Sequence, residues 1–79
     1  MSVTVLVVED DGLIRLDLAD TLSDAGYDVL EAANADQAMA ILQRRNDIKM
    51  LLTDIDMPGS MNGIQLAAVT AMRWPDCAI

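Results

Sequence analysis

Glu9, Asp10 and Asp11 directly follow the apolar run TVLVV, and Asp54 and Asp56 follow a second run, IKMLLT. Both runs are rich in β-branched or aliphatic residues and stop abruptly at acid. If the two are parallel neighbours in one sheet, their C-terminal ends bring Glu9, Asp10 and Asp54 together. Clustered carboxylates repel one another, and a hard divalent cation held by oxygen ligands relieves that repulsion. Such a cluster also makes one carboxylate a candidate nucleophile toward phosphorus, with the cation neutralising the phosphoryl oxygens. A single carboxylate at a strand end is most often a solvated end or a helix cap. Three converging carboxylates shift the balance toward a site.

The elements that must position these groups can be read along the chain. Val3 to Val8 is a continuous Val/Leu strand, of the kind covered on both faces in a parallel sheet. Asp11 caps a helix running to about Ala25, with Ile14, Leu18, Leu22 and Ala25 as its inward stripe and Asp17, Asp20 and Asp24 opposite. Gly26 ends that helix. YDVLEA is a second strand, at an edge. Asn34 and Gln37 have capping-box spacing, and the helix that follows runs to about Arg45 with Ala38, Ile41 and Leu42 inward. Ile48 to Thr53 is the third strand. DMPGSMNG is a loop by its Pro and glycines. A third helix spans Ile64 to about Arg73, ended by Pro75, and CAI opens a fourth strand. The alternation predicts an α/β fold with a parallel sheet and right-handed crossovers. Sites in such sheets lie beyond the C-terminal strand ends, near a switch in strand order.

Composition narrows the chemistry. The 79 residues suit one small domain with an aliphatic core: there is no Phe, one Tyr and one Trp. A net charge of −8 disfavours nucleic-acid phosphates and anionic membranes as partners and favours cations. With no histidine, the chain has no His-based triad, His zinc ligand or phosphohistidine of its own. Cys77 is the single cysteine, which leaves no internal disulfide and no thiolate metal site. Neither a signal peptide nor a membrane span is visible, so a cytoplasmic protein is expected.

VLVVEDD at the first strand end and DIDMPGSMNG after the third resemble the receiver domain of two-component response regulators, the CheY-like family. The resemblance covers the whole chain. It implies a flavodoxin-like, doubly wound parallel sheet in the order β1-α1-β2-α2-β3-α3 with the start of β4. It also implies that Asp54 is the phosphoacceptor, that Asp10 and Asp54 are direct Mg2+ ligands, and that Glu9 is a ligand through water. Asp56 would offer its backbone carbonyl to the metal, while Pro58 and Gly63 shape the loop. The implied cofactor is Mg2+ and the implied partner is a sensor histidine kinase or a histidine phosphotransfer protein. Self-catalysed phosphotransfer and dephosphorylation are then the most to be expected, not turnover as an enzyme. Two departures stand out: Glu9 replaces an Asp of the acidic pair, and Ser60 makes the loop one residue longer than its commonest form.

The family's switch Ser/Thr and its Lys lie after strands four and five, so residues 1–79 are expected to be the N-terminal portion of such a domain. Lys49 is the only lysine. Five strand residues, about 16 Å, separate it from Asp54, so it cannot substitute. Thr53, adjacent to Asp54, points to the other face. Leu13 and Leu16 fall off the main stripe of the first helix, and homodimers or higher association are expected if that flank is bare. A receiver-like interaction module that is not phosphorylated is the alternative. The absent Lys and hydroxyl favour it, and the intact acidic residues oppose it. A haloacid-dehalogenase-type phosphatase shares the strand-then-D-x-D fragment. It usually has Thr or Val where Pro58 stands, and it leaves Glu9 and Asp10 unexplained.

Overall fold

A computed structural model describes residues 3–54 and 61–79. The elements are β1 (Thr4–Val8), α1 (Gly12–Asp24), β2 (Asp28–Ala32), α2 (Ala35–Arg44), β3 (Ile48–Thr53) and α3 (Gly63–Arg73). The three strands form a parallel sheet in the order β2-β1-β3. Past β3, Ala78 makes a parallel bridge to Met50, with Leu51 N–H donating to Ala78 O at 2.7 Å and Ala78 N–H to Lys49 O at 2.8 Å. CAI therefore starts a fourth strand where it was expected.

The central strand explains the Val/Leu run. All five residues of β1 are buried. Leu6 and Val8 join Ala32, Ala38, Leu42, Leu51 and Leu66 in one core beneath α2 and α3. By strand alternation, Val5 and Val7 face the other side, where α1 packs on β1 and β2. Ile41 and Met39 pack at the margin of the main core.

The α1 stripe is narrower than its spacing suggested. Ala19 is the buried residue of this helix, Leu18 and Leu22 are half-buried, and Ala25 and Ile14 are exposed, Ile14 at 51%. A small residue at the contact lets α1 approach the sheet closely, and the larger apolar side chains flank that contact. Leu13 and Leu16, expected to lie off the stripe, are 81% and 52% exposed.

Local chemistry fixes the helix ends. Asp11 accepts from Leu13 N–H at 2.9 Å and Ile14 N–H at 3.2 Å. Gly26 follows α1 with φ of +99°, a conformation that Gly takes without steric cost. Asn34 accepts from Gln37 N–H at 2.9 Å, while the Gln37 side chain reaches one residue further back, to Ala33 N–H at 2.8 Å. At α3 the box is complete: Asn62 and Gln65 exchange two 2.9 Å bonds. Gly63, expected in the loop, is the first residue of α3.

One irregularity aligns the site. Thr4 pairs with Ile48 but Val5 pairs with Met50, so Lys49 is an extra residue in β3. From there the register runs to Val8 opposite Thr53. Asp54 thereby falls level with Glu9, and its N–H donates to Val8 O at 3.2 Å. An unbroken register would have placed Thr53 there, with every later β3 side chain on the wrong face.

Candidate functional site

The strand ends bring Glu9, Asp10 and Asp54 together, as expected if β1 and β3 are parallel neighbours. One carboxylate oxygen from each lies within 4.8 Å of the others. Asp10 and Asp54 are exposed, whereas Glu9 is only 6% exposed. Glu9 is held at both ends of its residue. Its backbone N–H donates to Ala32 O at 3.1 Å, and its carboxylate accepts the Asp11 N–H at 3.1 Å.

The electrostatics of Glu9 are a contest. The hydrogen bond from Asp11 N–H is the largest single influence and favours the ionised form. Burial, the hydrogen bond and charge of Asp54, and the contact with Asp10 together outweigh it and hold the Glu9 carboxyl above the usual carboxylate range. A buried carboxylate beside two others is an electron-rich, all-oxygen donor set. Its chemistry fits a hard divalent cation and not a soft one.

Of the other expected site residues, Asp56 and Pro58 lie outside the described residues. Thr53 donates its hydroxyl to Asp54 O at 3.1 Å. Lys49 stands at the far end of β3 from Asp54. Beside the acidic group, a cavity of about 300 Å3 opens between α1 and β3, with Glu9 and Asp54 on its polar side and Ile14, Leu18 and Leu52 on its apolar side. Asp54 is thus reachable from solvent along a partly apolar wall.

The sequence reading missed Arg15. Its Nη1 donates to Glu9 O at 2.7 Å and its Nε to Glu31 Oε1 at 3.3 Å. The available signal was a long cation four residues after the cap Asp11, one helical turn along.

A family model described as "Response regulator receiver domain" matches residues 5–79. Over 75 residues, the chain is 36% identical to the response regulator protein FleR of Pseudomonas aeruginosa, covering 95% of this chain and 15% of that protein. Over 62 residues, it is 42% identical to a chemotaxis protein CheY homologue of Campylobacter jejuni, covering 77% of this chain and 47% of the other. The chain therefore spans about half or less of the length of these relatives.

Solved structures agree. The response regulator TrrA of Thermotoga maritima, determined in complex with Mg(2+)-BeF, superposes with a TM-score of 0.88 at 28% identity, covering 98% of this chain and 64% of that one. The chemotaxis response regulator CheY4 of Vibrio cholerae gives 0.85 at 33% identity, covering 92% and 59%. In both sequence and fold, the chain belongs to the response regulator receiver domain family.

Proposed function

We propose that the chain accepts a phosphoryl group on Asp54 from a phosphohistidine on a partner protein, a sensor histidine kinase or a histidine phosphotransfer protein. The observation that carries this reading is the convergence of Glu9, Asp10 and Asp54 at adjacent parallel strand ends. In the transfer, an Asp54 carboxylate oxygen attacks phosphorus, an O–P bond forms as the N–P bond breaks, and the electron pair stays on the partner's imidazole nitrogen. Asp10 and Asp54 would hold Mg2+ directly, Glu9 through water, and Asp56 through its carbonyl. When bound, Mg2+ supplies positive charge against the phosphoryl oxygens. The likeness to TrrA, determined with Mg(2+)-BeF, supports a cation at this place.

The chain's own residues do the positioning. β1 and β3 set the acids level with one another, Asp11 anchors the turn onto α1, and the open side of Asp54 admits the donor. Apart from self-catalysed transfer and loss of its own phosphoryl group, no turnover is proposed. Among the described residues, no helix is long and apolar enough to cross a membrane. A cytoplasmic location goes with this proposal, because histidine kinases phosphorylate their partners there.

Intact-mass spectrometry with Mg2+ and a small-molecule phosphodonor tests the reading. Gain of one phosphoryl group, lost on chelation of Mg2+ and in Asp54→Asn, is the expected result. Equal gain by Asp54→Asn would place the acceptor elsewhere.

A further inference from the structure

The geometry points to Arg15 as a positioning residue that holds the Glu9–Asp10 turn in its metal-binding shape; this inference rests on the metal-centre reading above. The chain has five basic residues. Arg44 ends α2 and Arg45 is its C-cap, Lys49 is the second residue of β3 and Arg73 ends α3, all at the opposite end of the sheet from Glu9, Asp10 and Asp54. Arg15 is the remaining one, and it stands beside the acidic turn.

Arg15 does not spend its charge on the cluster. Nη1 donates to the backbone carbonyl of Glu9 at 2.7 Å, and Nε reaches Glu31 on β2 at 3.3 Å. Its Nη2 lies along the first turn of α1, where a Cβ added at Gly12 would stand 3.7 Å away. The guanidinium therefore ties three elements at one point: the end of β1, the start of α1 and the edge strand β2. Glu9 O belongs to the peptide unit that leads into Asp10. With Glu9 N–H on Ala32 O and the Glu9 carboxylate on Asp11 N–H, the Arg15 bond completes the fixing of that peptide from both sides. A carboxylate ligand is only as well placed as its backbone, and outer partners of this kind tune metal affinity.

A planar fork suits two acceptors in different directions, and a lysine ammonium on a flexible stem does not. Arg15→Lys and Arg15→Gln therefore separate position from charge. A cation that acts only by charge repels Mg2+, so Arg15→Gln would tighten Mg2+ binding and Arg15→Lys would leave it unchanged. A positioning residue gives the opposite pattern.

The experiment is an NMR titration of the wild-type chain and both variants with Mg2+, following backbone amides, at a temperature where thermal unfolding shows each to be folded. In the metal-free spectra, the Asp10 and Asp11 amides should shift in both variants. The Mg2+ dissociation constant should rise by roughly tenfold in Arg15→Gln and severalfold in Arg15→Lys. If Arg15→Gln does not fold, Arg15→Lys carries the test alone. Metal-free amide shifts unchanged in Arg15→Lys, or Mg2+ affinity equal to or tighter than wild type in the variants, overturns the role of Arg15 and leaves the metal centre standing. A wild-type chain whose Asp10 and Asp54 amides ignore Mg2+ overturns the metal-centre reading, and the role of Arg15 with it.

Discussion

At the scale of single residues, Glu9 is a carboxyl whose chemistry the fold changes. Its carboxyl sits above the usual range because burial and the neighbouring Asp54 and Asp10 outweigh the Asp11 N–H that stabilises its charge. The linkage has a definite sign. In the unfolded chain Glu9 titrates at its ordinary value, and in the folded chain it titrates higher. Between those two values the folded state holds more protons, so the metal-free fold loses stability as pH rises through that window, and the loss is complete above the raised value. Glu9→Gln keeps an oxygen for the Asp11 N–H and removes the charge. Its melting temperature at neutral pH should therefore exceed that of the wild type without metal, and the difference should vanish as pH falls through the window. Saturating Mg2+ should reverse the order, because the variant lacks one carboxylate of the proposed metal centre. Circular-dichroism melts across about pH 4 to 8 would show this, and a Gln variant that melts below metal-free wild type at pH 7 would contradict it. The acidic residues were legible because the change from apolar strand to acid is abrupt. The environment of Glu9 was not, because Ala32, which holds its backbone N–H, and Asp54, which raises its carboxyl, are both distant in sequence.

At the scale of elements, strand alternation and helix caps were readable and packing partners were not. Asp11 and Asn34 were identifiable as caps from their position before apolar periodicity. The Asn62–Gln65 box has the same spacing, but the sequence reading started this helix at Ile64, after a stretch rich in Pro and Gly. The extra residue at Lys49 left no mark in the sequence, since IKMLLT reads as an unbroken strand; only pairing with β1 reveals it. Ala19 carries the α1 contact although larger residues dominate that helix, because a stripe drawn by hydrophobicity ignores how closely a small side chain lets two backbones approach. Asn62 offers the sharpest energetic test. It satisfies one N–H at the start of α3 and has its own N–H satisfied by Gln65 in return. Asn62→Ala should cost about 1 kcal/mol in urea unfolding, while Asn62→Ser or Asn62→Asp should cost much less. In a domain of this size, that loss corresponds to a fall of about 4–8 °C in melting temperature. Loss of the same amount in Asn62→Asp would mean that the box is not what anchors α3.

At the scale of the whole molecule, the two sides of the sheet are unequal. The side beneath α2 and α3 holds the main aliphatic core. On the α1 side, Leu13, Ile14 and Leu16 are more than half exposed, and Leu52 is 40% exposed on β3. Ile14, Leu18 and Leu52 line one cavity, while Leu13 and Leu16 lie off that stripe on another flank of α1, so the exposed apolar side chains form two groups. Opposing them is the charge of −8, which keeps copies apart at low ionic strength. The balance makes a salt-dependent prediction. At about 0.01 M salt, where the Debye length is near 30 Å, the 79-residue chain should run as a monomer. At about 0.5 M salt, screening leaves the apolar surface to act, and light scattering after size exclusion should show dimers or larger species that grow with concentration. Leu13→Gln with Leu16→Gln leaves net charge unchanged and places good helix formers at exposed sites, so it should restore the monomer at high salt with little change in melting temperature. Association driven by ion pairs between the basic and acidic ends would respond in the opposite sense, weakening as salt rises. A monomer at high salt and high concentration would show that the bare face is too small to hold two copies together.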